Sequence, residues 1–162
     1  MEGRCQCGLI RFITPLPHPL QIYICHCTQC RHQSASAYGL TAIFPTFEIP
    51  EPQPSAANNP TTSTTSITNF DPTTSSSAIG IHRRQTLSNK TMECLFCKQC
   101  GVRLMHRVRG GEQLSVKAGC LEGLTKEMMA GAVHIWCKEA VVEIPEGAQK
   151  WEEEPDQGSS SN

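Results

Sequence analysis

The chain is expected to fold as a mainly β domain with short helical turns, held together in part by bound metal. Three observations lead there. The apolar runs are brief and several alternate, helical patterns are few, and ten cysteines in 162 residues fall mostly into close-set clusters. Hydrophobic content is a modest 38%, so a metal would supply folding free energy that a core of this size does not.

The strand-like runs, in chain order, are residues 9–13, 20–24, 38–44, 104–108, 113–117 and 141–144, most of them bounded by Gly, Pro or Asn. Arg109-Gly110-Gly111-Glu112 reads as a hairpin turn between the fourth and fifth of these. Helices are expected only as one or two turns after Cys30 and a short one around 124–130, with Thr125 as its cap. Residues 50–78 differ from everything around them. They are built mostly from Ser, Thr, Pro, Asn and Ala, with Ile67 and Phe70 the only large apolar residues, and no Lys or Arg occurs between Arg31 and Arg83. Such a segment buries too little apolar area to offset its ordering entropy, so it is read as a flexible insertion. The expected organisation is one metal-binding domain over 2–151, interrupted at 50–78, with a disordered acidic and Ser-rich tail at 152–162.

Composition narrows the function classes. A net charge of −1 and a pI near 6.6 give no basic field for nucleic acid, and no apolar run is long enough to span a bilayer. The start, Met1-Glu2-Gly3-Arg4-Cys5, has none of the features of a secretory leader, so a cytoplasmic, reducing compartment is expected. There, close cysteine pairs mean metal more often than disulfides, and Cys25 and Cys27 are poorly spaced for cross-linking to each other.

The cysteines fall into Cys5-Gln6-Cys7-Gly8, Cys25-His26-Cys27-Thr28-Gln29-Cys30 and Cys94-Leu95-Phe96-Cys97-Lys98-Gln99-Cys100-Gly101, with Cys120 and Cys137 apart. Thiolates so spaced can share an ion on a tight turn, and a following glycine lets backbone amides turn toward sulfur. Zinc suits such sites better than iron–sulfur clusters, whose spacings differ. Cys5 and Cys7 are expected to pair with Cys97 and Cys100, closing a four-sulfur structural site. Cys25, Cys27 and Cys30 supply only three ligands and so leave a position open for chemistry. The alternative is a second structural site completed by Cys94, Cys120 or His26.

These residues also resemble a family. The runs Cys5 through Phe12, Cys25 through Arg31 leading to Ser34-Ala35-Ser36-Ala37, and Phe96 through Gly101 resemble the glutathione-dependent formaldehyde-activating enzymes. Their superfamily includes centromere protein V. Val116 through Leu121 and Val133 through Trp136 look like later segments of that family. The resemblance implies a β-sandwich related to zinc-binding guanine-nucleotide-exchange chaperones, with two zinc ions per chain. One would sit on Cys5, Cys7, Cys97 and Cys100, the other on Cys25, Cys27 and Cys30 beside a glutathione site. The implied partners are a small-molecule thiol and aldehyde, with glutathione as co-substrate. The implied reaction is formation or cleavage of S-hydroxymethylglutathione, the work of a carbon–sulfur lyase, with zinc lowering the thiol pKa. The rival reading is a non-catalytic, zinc-stabilised binding module with two structural sites. Ala35 stands where the family usually has glycine, which makes a positive φ harder to reach there.

Other residues carry two readings each. Arg31 could pair with a glutathione carboxylate or offset thiolate charge, and Ser34 and Ser36 could bond the peptide or cap a turn. His26 is read as packing beside the metal loop, His134 and Trp136 as core of a late strand, and Cys137 as a buried thiol. Arg83-Arg84 is too short to make a nucleic-acid patch.

Overall fold

The computed structural model describes residues 1–52, 77–86 and 88–155. Most of the expected insertion, residues 53–76, and the end of the expected tail, 156–162, lie outside the described residues. The fold is mainly β with a large sheet and few helices, as the short alternating runs predict. Strands β1 (Glu2–Arg4) and β2 (Arg11–Ile13) form a two-stranded antiparallel ribbon. The remaining strands are β3 (Gln21–Cys25), β4 (Gly39–Pro45), β5 (Ile79–Gln85), β6 (Thr91–Cys97), β7 (Arg103–Val108), β8 (Gln113–Lys117) and β9 (Val133–Ile135). They make one seven-stranded sheet in the order β5-β6-β7-β8-β4-β3-β9, antiparallel except where β9 joins β3.

Alternation decides which side chains meet. Phe12 of β2 and Ile10 share one buried cluster with Ala42, Phe44, Leu95, Met105, Leu114 and Val116 of the large sheet, so the ribbon and the sheet close over a common core. The opposite set in β5 to β8 reads His82, Cys94, His106 and Ser115 straight across four strands. That row is polar and bears on the site.

Helix α1 (Thr28–Ser34) begins before Cys30 rather than after it, with Cys27 as its cap, and α2 (Lys126–Ala130) is capped by Thr125 as expected. The β7–β8 hairpin turns at Arg109-Gly110-Gly111-Glu112, where Gly110 takes a left-handed φ of 77°. Three expectations are corrected. Residues 141–144 form no strand: Val141 and Val142 are exposed after a 3-10 turn, and with no neighbouring strand to pair them their apolar alternation has no ladder to join. Strands β1, β5 and β6 were not among the expected runs, whereas the late strand expected at His134 forms as β9. The sequence of β5, Ile79-Gly80-Ile81-His82-Arg83-Arg84-Gln85, reads polar because an edge strand buries little, and β6 was hidden inside a cysteine cluster that looked like a turn. Trp136 does not continue β9; it adopts a left-handed φ of 59° and is half-buried, whereas His134 lies buried in the strand.

The ends flanking residues 53–76 are tied to each other. The Glu51 carboxylate accepts hydrogen bonds from the Ser77 hydroxyl and from the Ala78 amide (3.1 Å), and Ile49 and Ala78 belong to the core. Excising 50–78 would therefore cut into packed structure. Excising 53–76 and joining Pro52 to Ser77 through a short Gly-containing turn is expected to leave the melting temperature within a few degrees, since closing a shorter loop costs little. Loss of a cooperative melting transition would show that the segment contributes to the fold.

Candidate metal centres

The first centre forms where the ribbon meets β6. Cys5 follows β1, and the turn carrying Cys7 closes by Cys5 N donating to Ile10 O (3.1 Å) and Gly8 N to Cys5 O (3.1 Å), with Gly8 at a φ of 76°. A matching turn follows β6, with Gly101 N donating to Cys97 O (2.9 Å) and Gly101 at a φ of 74°. Each glycine thus takes the left-handed conformation that lets the chain fold back over sulfur. The two turns bring the Sγ atoms of Cys5, Cys7, Cys97 and Cys100 within 4.8 Å of one another. Cys7 and Cys97 are 3.8 Å apart and Cys5 and Cys7 3.4 Å. Four sulfurs about 2.3 Å from one tetrahedral ion stand about 3.8 Å from each other, so this donor set fits zinc. The Ile10 amide donates to Cys5 Sγ at 3.3 Å. Burial pushes the Cys7 and Cys97 thiols up, while at Cys100 burial is outweighed by amide and thiol hydrogen bonds that bring it down to about 7. All ten cysteines are free, so no disulfide competes for these sulfurs.

The second centre is a cluster of three. Cys25 ends β3, Cys27 caps α1 by accepting from Cys30 N (3.4 Å), and Cys30 lies in the first turn of that helix. Their sulfurs also lie within 4.8 Å of one another, and no fourth Cys, His, Asp or Glu among the described residues joins them. Hydrogen bonds from Cys25 and Cys30 to the Cys27 sulfur, helped by nearby amides, pull that thiol down to about 2, whereas Cys25 is pushed up, first by its bond to Cys27.

Long-range contacts position this loop. The Glu139 carboxylate accepts from the amide and hydroxyl of Thr28 at 2.8 and 2.7 Å, fixing the start of α1. Gly39 of β4 allows close approach, since a Cβ there would lie 2.9 Å from Cys30 Cβ. At the other end Ala35 caps α1 in the left-handed region, φ 49° and ψ 41°, taking the conformation that glycine would reach more easily.

The remaining candidates are placed as follows. His26 does not join the sulfurs; it is 1% exposed and its Nε2 bonds His134 Nδ1 at 2.9 Å, the two rings stacked. Ser34 donates within the helix end, to Cys30 O at 2.8 Å, while Arg31 and Ser36 line an open groove with Ala35 and Ala37. Cys120 lies beside Arg103 O, and Cys137 is half-buried. Cys94 parts from Cys97 and lines a second cavity against Cys30. Sequence reasoning missed that cavity's other residues, because they come from separate strands and share no spacing.

The sequence model of the glutathione-dependent formaldehyde-activating enzymes matches residues 1–70 and 53–139. The chain belongs to that family. Both cysteine clusters lie within the matched span. Among solved structures it is similar to a crystal structure of a Rhodobacter sphaeroides protein, at 18% identity and a TM-score of 0.49, covering 83% of this chain and 99% of that one. No curated protein matches the chain. Among the described residues no helix is long and apolar enough to cross a membrane.

Proposed function

We propose that this member of the formaldehyde-activating family is a zinc-dependent carbon–sulfur lyase that forms or cleaves S-hydroxymethylglutathione in the cytoplasm. The observation that carries the reading is the contrast between the centres: four sulfurs close one site, while three sulfurs beside a cavity leave the other incomplete. In the forward direction the thiolate sulfur of glutathione adds to the aldehyde carbon, and the resulting alkoxide takes a proton. In reverse the hydroxyl gives up its proton, the carbon–sulfur bond breaks, and the thiolate leaves with the bonding pair. Zinc held by Cys25, Cys27 and Cys30 would lower the pKa of the thiol at that step. The chain's own part is to hold α1 in place through Thr28 and Glu139 and to present the open side of the cluster. Arg31, Ser34 and Ser36 are proposed contacts for the peptide.

The deciding measurement is release of formaldehyde from preformed S-hydroxymethylglutathione by the zinc-loaded protein, with a trapping reagent reporting the aldehyde. A rate well above the spontaneous one, lost when the metal is chelated, is expected. A rate equal to the spontaneous one would leave a zinc-stabilised binding module with two structural sites.

A further inference from the structure

We propose that Thr86, at the tip of the β5–β6 hairpin, is a phosphate-acceptor site for an arginine-directed protein kinase. The sequence sets the register. In Arg83-Arg84-Gln85-Thr86 two guanidinium groups stand three and two residues before a hydroxyl, and no other serine or threonine of the chain has arginine at both places. Kinases choose substrates by charge pattern, and guanidinium groups match the carboxylates of a substrate cleft two bonds at a time.

The fold presents this run in the form such a cleft binds. Arg83 and Arg84 lie in an extended strand at the edge of the sheet, with β6 on one side and no strand on the other among the described residues. An extended segment with a free edge is open to pairing by another protein. The Arg83 side chain is 58% exposed although it reaches Glu93, and Arg84 forms no ion pair among the described residues. Thr86 follows where the strand ends, and Ser88, Asn89 and Lys90 beyond it are exposed.

The structure also separates Thr86 from two hydroxyls with arginine only three residues before them. Thr14, after Arg11, is 5% exposed and donates to Leu16 O at 2.7 Å. Ser34, after Arg31, donates to Cys30 O at 2.8 Å and Tyr38 O at 2.9 Å at the end of α1. Thr86 Oγ1 instead accepts from Lys90 N at 3.0 Å and meets Ser88 Oγ at 3.0 Å, both on the exposed surface.

The same tip suits the product. The Thr86 oxygen attacks the γ-phosphorus of Mg-ATP, the bond to the β-phosphate oxygen breaks, ADP leaves, and the hydroxyl proton passes to the catalytic base of the kinase. The Lys90 amide and the Ser88 hydroxyl are donors already at this oxygen, and Arg84 stands two positions back along the strand. Residues 84–92 contain no Asp or Glu, and Lys90 forms no ion pair among the described residues. The phosphate's charge of about −1.5 to −2 therefore meets donors and cations rather than like charge.

The test incubates the full zinc-loaded chain with Mg-ATP and the catalytic subunit of cyclic-AMP-dependent protein kinase, which selects arginines at these two places. Fragmentation mass spectrometry then maps the product. Phosphate is expected on Thr86, and Thr86→Ala should abolish its incorporation. Arg84→Gln should slow incorporation at least about tenfold, since a charge-assisted contact to the kinase is lost. Ser88→Ala should leave the rate unchanged. Should Thr86→Ala fail to fold, the site mapped in the wild-type chain and the Arg84→Gln rate decide the matter. No incorporation, phosphate on Ser88, Thr14 or Ser34 in place of Thr86, or an undiminished rate in Arg84→Gln overturns the assignment.

Discussion

Replacing Cys97 with serine is expected to remove about one metal equivalent per chain and to unfold most of the core. Cys97 ends β6 and is 0% exposed, and its sulfur lies beside those of Cys5, Cys7 and Cys100. Cys5 and Cys97 are themselves members of the core cluster, next to Ile10 and Phe12 of the ribbon side. Losing one ligand therefore releases the ribbon from the sheet and leaves a polar hydroxyl in the apolar interior. Structural zinc supplies roughly 10–16 kcal/mol in small domains, as much as the whole stability of most proteins, about 5–15 kcal/mol. Far-ultraviolet circular dichroism and metal analysis check the outcome together. A Cys97→Ser protein with full metal content and an unchanged melting temperature would remove this centre from the account of the fold.

Replacing Cys27 with alanine should have the opposite signature, with activity falling to the spontaneous rate while the fold persists. Helix α1 contains no buried residue, so the sheet does not depend on it for core. What alanine removes locally is a cap, because Cys27 Sγ accepts from Cys30 N at 3.4 Å, and loss of a cap costs about 0.5–2 kcal/mol. That corresponds to a fall of a few degrees in melting temperature for a domain of this length. What alanine removes chemically is one of the three sulfurs of the second cluster, and two sulfurs hold zinc poorly. Cobalt-substituted protein gives a further readout, since the wild-type spectrum should shift on adding glutathione and the Cys27→Ala spectrum should not. If Cys27→Ala unfolds the protein and glutathione leaves the wild-type spectrum unchanged, both centres are structural.

Much of the local geometry of the two candidate metal centres was legible because it is written locally. A cysteine pair followed by glycine specifies its own turn, and Gly8 and Gly101 take the left-handed φ that such turns need. The β7–β8 turn and the Thr125 cap were legible for the same reason, each being a contact between residues only a few positions apart. Residues 141–144 show the limit of this kind of reading. An alternating apolar run becomes a strand only beside another strand, and the place next to β3 is taken by β9. Cys94 shows it too: close to Cys97 in sequence, it pairs instead with His82 and His106 across the sheet.

By itself, then, the sequence determined a mainly β chain with two sets of cysteines, because strand alternation and thiolate turns depend on neighbouring residues. Tertiary structure alone decided the rest. It joined Cys5 and Cys7 to Cys97 and Cys100 across some ninety residues, kept Cys94, Cys120 and His26 away from the three-sulfur cluster, and set Arg84, Arg103 and Lys117 around one cavity. The physical reason is register: pairing of β5 to β8 fixes which side chains share a face, and that pairing is a property of the whole sheet rather than of any one strand.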